Sequence, residues 1–209
     1  MESVTKSAFA SFGSHDYYQA QFYFRLAVKV HPCWETFQNL GVFYEKEGLQ
    51  LHNGRGRCAP RLAEHYLLKA QSVRPEKRTL WALGYLYSGN SKYEAALECF
   101  SSAFAAGTPD AISACYCASI CNQLARNTEM LAWSRKAMTI ASQNMIEECM
   151  PLLAFALLFT AQHTICPELD ALLDGHMREM PWERFVIFTL AGSYDRAASL
   201  VETVWRSFS

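Results

Sequence analysis

One template of spacings recurs along this chain, and a recurring template restricts the fold to architectures that stack like units. Leu80, Leu83, Gly84 and Tyr87 are followed by Ala96, Phe100 and Ala103, with Pro109 shortly after. Upstream, Phe37, Leu40, Gly41 and Tyr44 precede Ala63, Leu67, Ala70 and Pro75, with the same intervals inside each half. Earlier still, Ala20, Phe24, Ala27 and Pro32 copy the spacing of Ala63, Leu67, Ala70 and Pro75. Apolar residues at i, i+3, i+4 and i+7 draw one stripe along a helix, so each unit reads as two amphipathic helices. The small residues let paired helices approach to about 8–9 Å, and the larger ones fill the space between. Pro32 and Pro75 cannot continue a helix and end each second one. Ser14-His15-Asp16 and Ser88-Gly89-Asn90-Ser91 supply turn chemistry between first and second helices.

This pattern of Leu-Gly, Tyr, Ala, Phe, Ala and Pro resembles the tetratricopeptide repeat family. Six of its 34-residue units take roughly 204 residues, close to the 209 present. The resemblance covers 14–110 best and continues over 111–143, where Ala118 and Ala137 keep the interval of Gly84 to Ala103 while Cys117 and Cys121 replace Leu and Tyr. It implies an all-α fold, a right-handed α-solenoid of about five to six antiparallel helix pairs. The pairs are expected near 1–32, 34–75, 77–109 and 111–143, with divergent helical repeats and a C-terminal capping helix over 144–209. Tyr44 to Ala63 is ten residues longer than Tyr87 to Ala96, which predicts an inserted loop over 49–60. Lengthened turns of this kind resemble the suppressor-enhancer-lin subtype. Pro151 is expected in the first turn of an apolar helix ending near His163, since an interior proline kinks a helix.

Composition fits a folded chain with a large core. At 51% hydrophobic and 19% charged, a chain this long buries roughly 70% of its extended surface. The longest apolar run, Met150 to Phe159, is about half of what a membrane-spanning helix needs, so no membrane partner is expected. The opening Met-Glu-Ser-Val-Thr-Lys lacks the features of a secretory signal. Eight cysteines at no framework spacing are expected as reduced thiols in the cytoplasm. Cys117 and Cys121 fall on core positions of the repeat and read as small buried hydrophobes. The net charge of −1 argues against a dedicated nucleic-acid binder. Locally, 51–80 carries seven basic residues against two acidic, and 145–209 carries nine acidic against four basic. Pairing of the basic insertion with the acidic tail between copies would give a weak homodimer.

No phosphate-cradling loop, nucleophile elbow or His-Glu-x-x-His helix is present, so no enzyme, cofactor or metal is expected. The resemblance implies a concave groove lined by first helices at the positions between the core residues. In the second unit these include Glu35, Gln38, Asn39, Val42, Glu45 and Lys46; in the third, Arg78, Trp81, Tyr85 and Ser88; in the fourth, Ile112, Cys115, Tyr116, Ser119 and Asn122. Aromatic anchors among amides suit a peptide or helix of a partner protein, and the function expected is a non-enzymatic interaction scaffold. Some members of the family clamp a C-terminal carboxylate; Asn39 and Arg78 match two of those places, whereas Thr5, Phe9 and Ala82 replace the other donors. Two alternatives are an RNA-binding helical repeat, from the basic segment and stackable aromatics, and a metal or redox protein using Cys115, Cys149, His163 and Cys166.

Overall fold

The computed structural model describes residues 2–51, 59–175 and 177–207. Among the described residues there are twelve α-helices and no strand. They form two compact units, Met1–Gly107 and Thr108–Ser209. The first holds α1 (Glu2–Gly13), α2 (Tyr17–Val30), α3 (Trp34–Leu51), α4 (Ala59–Val73), α5 (Lys77–Gly89) and α6 (Tyr93–Ala105). The second holds α7 (Ala111–Gln123), α8 (Asn127–Ile140), α9 (Gln143–Thr160), α10 (Pro167–Asp174), α11 (Pro181–Leu190) and α12 (Tyr194–Ser207).

In the first unit, α1 packs on α2, α3 on α4 and α5 on α6, with α2 against α3 and α4 against α5 joining the pairs. The template residues make these contacts. Ala20, Phe24, Ala63, Leu67, Ala96 and Phe100 are buried, as are Leu40 and Leu83 on the facing helices. A Cβ on Gly84 would lie 2.7 Å from the Phe100 ring, and one on Gly41 would lie 2.7 Å from the Leu67 side chain. Each first helix therefore offers a groove without a side chain, and a large residue of the second helix fills it. Sixteen residues before Phe24 stands Ala8, fully buried, which takes the same place in the α1–α2 pair.

The turns repeat as strictly as the core. His15, Ser91 and Ala125 have φ of 61°, 57° and 54°, and Gly192 has φ of 70°. Each left-handed residue is followed by an amide that donates to the carbonyl five residues back: Asp16 to Ser11, Lys92 to Tyr87 and Arg126 to Cys121 at 2.9 Å, and Ser193 to Phe188 at 2.8 Å. This is the Schellman closure, which satisfies carbonyls that a helix end leaves open. After α1 the Asp16 carboxylate also caps α2 by accepting from the Gln19 amide at 3.0 Å. α3 continues to Leu51 and α4 starts at Ala59, so residues 49–51 and 59–60 of the expected loop are helical. Residues 52–58, including His52, Arg55 and Arg57, lie outside the described residues.

In the second unit α9 is the hub, packing against α7, α8, α10 and α11, while α11 pairs with α12. Met150, Ala154, Leu157 and Leu158 meet Leu169, Leu172, Leu173, Ile187 and Phe188 in one buried cluster. Pro151 corrects an expectation, because it sits inside α9 rather than in its first turn. Its ring removes a single donor, the one that would reach the Glu147 carbonyl. Burial of Met150, Ala154, Leu157 and Leu158 holds the helix through that gap.

Two substitutions of opposite sign test this account by urea unfolding. Gly84→Val drives a branched side chain into the buried Phe100 ring and should cost about 2–3 kcal/mol. Ala125→Gly relieves the left-handed backbone and should gain about 0.5–1 kcal/mol. Equal and small effects would contradict the packing and the turn geometry together.

Candidate functional site

In the first unit Gln38, Asn39, Val42 and Lys46 rise along one side of α3, at i, i+1, i+4 and i+8, which keeps them on neighbouring faces of the helix. With Arg78 of α5 they line an open cleft of about 190 Å³, together with Phe9, Phe12, Phe24 and Phe43. The four rings are continuous. Phe9 meets Phe24 edge-on at 5.3 Å, Phe24 meets Phe43 at 5.4 Å, and Phe12 meets Phe43 edge-on at 6.0 Å. Phe24 and Phe43 are buried and anchor this floor in the core, whereas Phe9 is 51% exposed at the lip. Gln38 is buried, Asn39 and Val42 are half-buried, and Lys46 and Arg78 are exposed. Among the described residues no carboxylate lines the cleft, and its charge there comes from Lys46 and Arg78. Such a surface offers apolar contact below, amide hydrogen bonds on one wall and positive charge at the rim.

Other expected site residues stand elsewhere. Trp81, Tyr85, Ser88 and Glu45 do not line this cleft. Trp81 is half-buried with the Lys77 ammonium 5.8 Å from its ring centre. Tyr85 packs edge-on against Phe100 at 5.5 Å while remaining 38% exposed. Tyr116, Ser119 and Asn122 lie on α7 in the second unit, the first two half-buried and Asn122 exposed. The rings of Phe9, Phe12, Phe24 and Phe43 are the residues that sequence reasoning missed as a site. In the sequence Phe24 reads as core, at a template position, and Phe9 stands where a polar donor would be.

The thiols behave as core. Cys117 and Cys121 are fully buried, and burial pushes their pKa up to about 12 and about 11. Cys115 on α7 and Cys149 on α9 bring their sulfurs to 3.1 Å. Burial is also the main cause of the raised Cys115 pKa, with the neighbouring Cys149 thiol adding to it. His163 and Cys166 do not join them: the His163 ring meets Phe159 edge-on at 5.4 Å, and Cys166 packs on the α9 cluster. Among the described residues no three His, Cys, Asp or Glu side chains converge to hold a metal ion. No helix among the described residues is long and apolar enough to cross a membrane.

Three carboxylates of the acidic stretch, Glu168, Asp170 and Asp174, pair with arginines of the same unit. Arg135 forms a two-pronged pair with Glu168 at 2.8 and 3.1 Å. Arg196 reaches Asp170 at 2.6 Å and Asp174 at 3.3 Å while lying 4.2 Å from the centre of the Phe188 ring. Arg184 also meets Asp174, at 3.2 Å.

A thiol whose pKa is raised stays protonated to higher pH, and only the thiolate attacks an alkylating agent. In native protein at pH 7.4, iodoacetamide should therefore label Cys117 and Cys121 about 100-fold more slowly than in urea. Peptide mass spectrometry reads this directly, and rapid native labelling at both sites would contradict their burial.

A scan of protein-family models finds no match, and no curated protein matches in sequence. Similarity is found among solved structures. A tetratricopeptide repeat protein from Parabacteroides merdae ATCC 43184 superposes with a TM-score of 0.76 at 15% identity, covering 98% of this chain and 78% of that one. A structure described as a functional characterization of pilF from Pseudomonas aeruginosa gives 0.68 at 14% identity, covering 99% and 91%. Paired helices seated on Gly41 and Gly84, closed by a recurring left-handed turn, and superposing on such a protein along nearly their full length, give this chain the tetratricopeptide-repeat fold.

Proposed function

We propose that this protein is a non-enzymatic interaction scaffold that holds a peptide or helix of a partner protein in the cleft between α1, α3 and α5. The fold is one that generally mediates protein–protein contact. The observation that carries the reading is the cleft itself: a floor of four connected phenylalanine rings beside Gln38 and Asn39, rimmed by Lys46 and Arg78. Phe9 and Val42 supply apolar anchoring, the amides bond to a partner backbone, and the rim cations favour a partner with negative charge nearby.

The test is quantitative affinity capture from the source cell, with nuclease present, using wild type, Val42→Asp and the double variant Lys46→Glu/Arg78→Glu. Val42→Asp places a charge over the phenylalanine floor, and the double variant reverses the rim. Each should reduce capture of the specific partner at least tenfold, while Trp81→Ala/Tyr85→Ala has a smaller effect. Folded variants that keep every partner would defeat the cleft assignment.

A further inference from the structure

A second surface of the first unit has the opposite character to a core face. Tyr18, Phe22, Arg25 and Lys29 stand on α2 at i, i+4, i+7 and i+11, so they form one continuous stripe. Tyr18 is 69% exposed and Phe22 61%, and Arg25 and Lys29 are exposed beyond them. The buried residues of α2 are Ala20, Phe24 and Ala27, on its other side. Two large aromatics standing in water beside each other are the informative kind of exposure, because neither contributes to the core.

The stripe borders a pocket of about 580 Å³ completed by Gln21, Leu26, Val28, Leu40 and Tyr66. Its base is ordered. The Gln21 amide donates to the Tyr44 hydroxyl at 3.2 Å, and the Tyr66 ring stacks on Tyr44 with 6.0 Å between centres and 15° between planes. Among the described residues no carboxylate lines the pocket. α2 holds no acidic residue from Tyr17 to Val30, and Arg25 and Lys29 form no ion pair among the described residues. The stripe is thus divided, aromatic toward the start of α2 and cationic toward its end.

We propose that this face is a second docking surface, distinct from the cleft, for an acidic peptide segment carrying one aromatic or branched aliphatic anchor. The anchor enters beside Tyr18 and Phe22, and the carboxylates that follow it meet Arg25 and Lys29. Helix rise sets the spacing: Arg25 and Lys29 lie about 4.5 and 10.5 Å beyond Phe22 along the axis. An extended peptide covers that distance in about two to four residues, so the acids fall within about four residues of the anchor. Single-stranded RNA fits less well, because the stripe presents only two cations and the chain carries a net charge of −1.

The probe is a labelled twelve-residue peptide with one Trp followed by four Asp or Glu in a Gly/Ser background. Its controls replace the acids with Asn and Gln, or the Trp with Ala; an oligo(U) RNA is measured in parallel by fluorescence anisotropy. The acidic probe should bind wild type at least tenfold more tightly than either control or the RNA. Tyr18→Ser/Phe22→Ser and Arg25→Glu/Lys29→Glu should each weaken it at least tenfold, with circular dichroism confirming that these exposed substitutions leave the fold intact. Loss of probe binding in Lys46→Ala/Arg78→Ala but not in Tyr18→Ser/Phe22→Ser would seat the probe in the cleft and overturn the proposal. The proposal is overturned if the acidic probe does not bind, if the uncharged control binds equally, if Arg25→Glu/Lys29→Glu has no effect, or if the RNA binds in preference.

Discussion

The packing of the first unit depends on the absence of one side chain per helix pair. Gly41 and Gly84 leave bare backbone where Leu67 and Phe100 must sit, and Ala8 does nearly the same opposite Phe24. The close approach buries Ala20, Ala63, Ala96 and their neighbours, where dispersion contacts are densest. In the α7–α8 pair the sizes are redistributed. Ala118 takes the glycine place, and Ser134 takes the place of Phe100, fully buried with a hydroxyl that finds no hydrogen-bond partner. Met130, one turn earlier on the same helix, is also buried.

This seat also places the cleft. Phe24 fills its own helix pair from below and contributes one edge to the ring chain above. Phe43, one position before Tyr44 on α3, is buried for the same reason and carries Phe12 with it. The cleft floor is therefore the upper surface of the core, and its geometry is fixed by packing rather than by loops. Gln38, Asn39 and Val42 stand on that support because they occupy the α3 positions between Phe37, Leu40 and Phe43.

The core was legible in the sequence because its residues sit at fixed intervals, and intervals survive in a string of letters. The turns were legible at Ser14-His15-Asp16 and Ser88-Gly89-Asn90-Ser91. Their left-handed residue was not, because it is His15 or Ser91 instead of a glycine. Pro151 misled for a physical reason: loss of one backbone bond ends an exposed helix but not one gripped on several sides by buried leucines. Half of the candidate site followed from position alone, since Gln38, Asn39, Val42, Lys46 and Arg78 share one cleft. Trp81 and Tyr85 stand out in the sequence by size, and size does not say which side of a helix a neighbour will cover. The α2 stripe was readable as a period of aromatic and basic residues, yet Ala20, Phe24 and Ala27 on the same helix accounted for it too readily as core.

The pattern of helix contacts differs between the units, and the difference bears on mechanical strength. In the first, most contacts join helices that follow one another in the chain, with α3 against α5 and the Phe12–Phe43 contact of α1 with α3 reaching further. Stability of that kind is held in series, each hairpin leaning on the next. In the second, α9 ties four helices at once, so load is shared in parallel. Stretched along its length, the first unit gives way hairpin by hairpin, like a zip, whereas the second holds until α9 is torn from its neighbours.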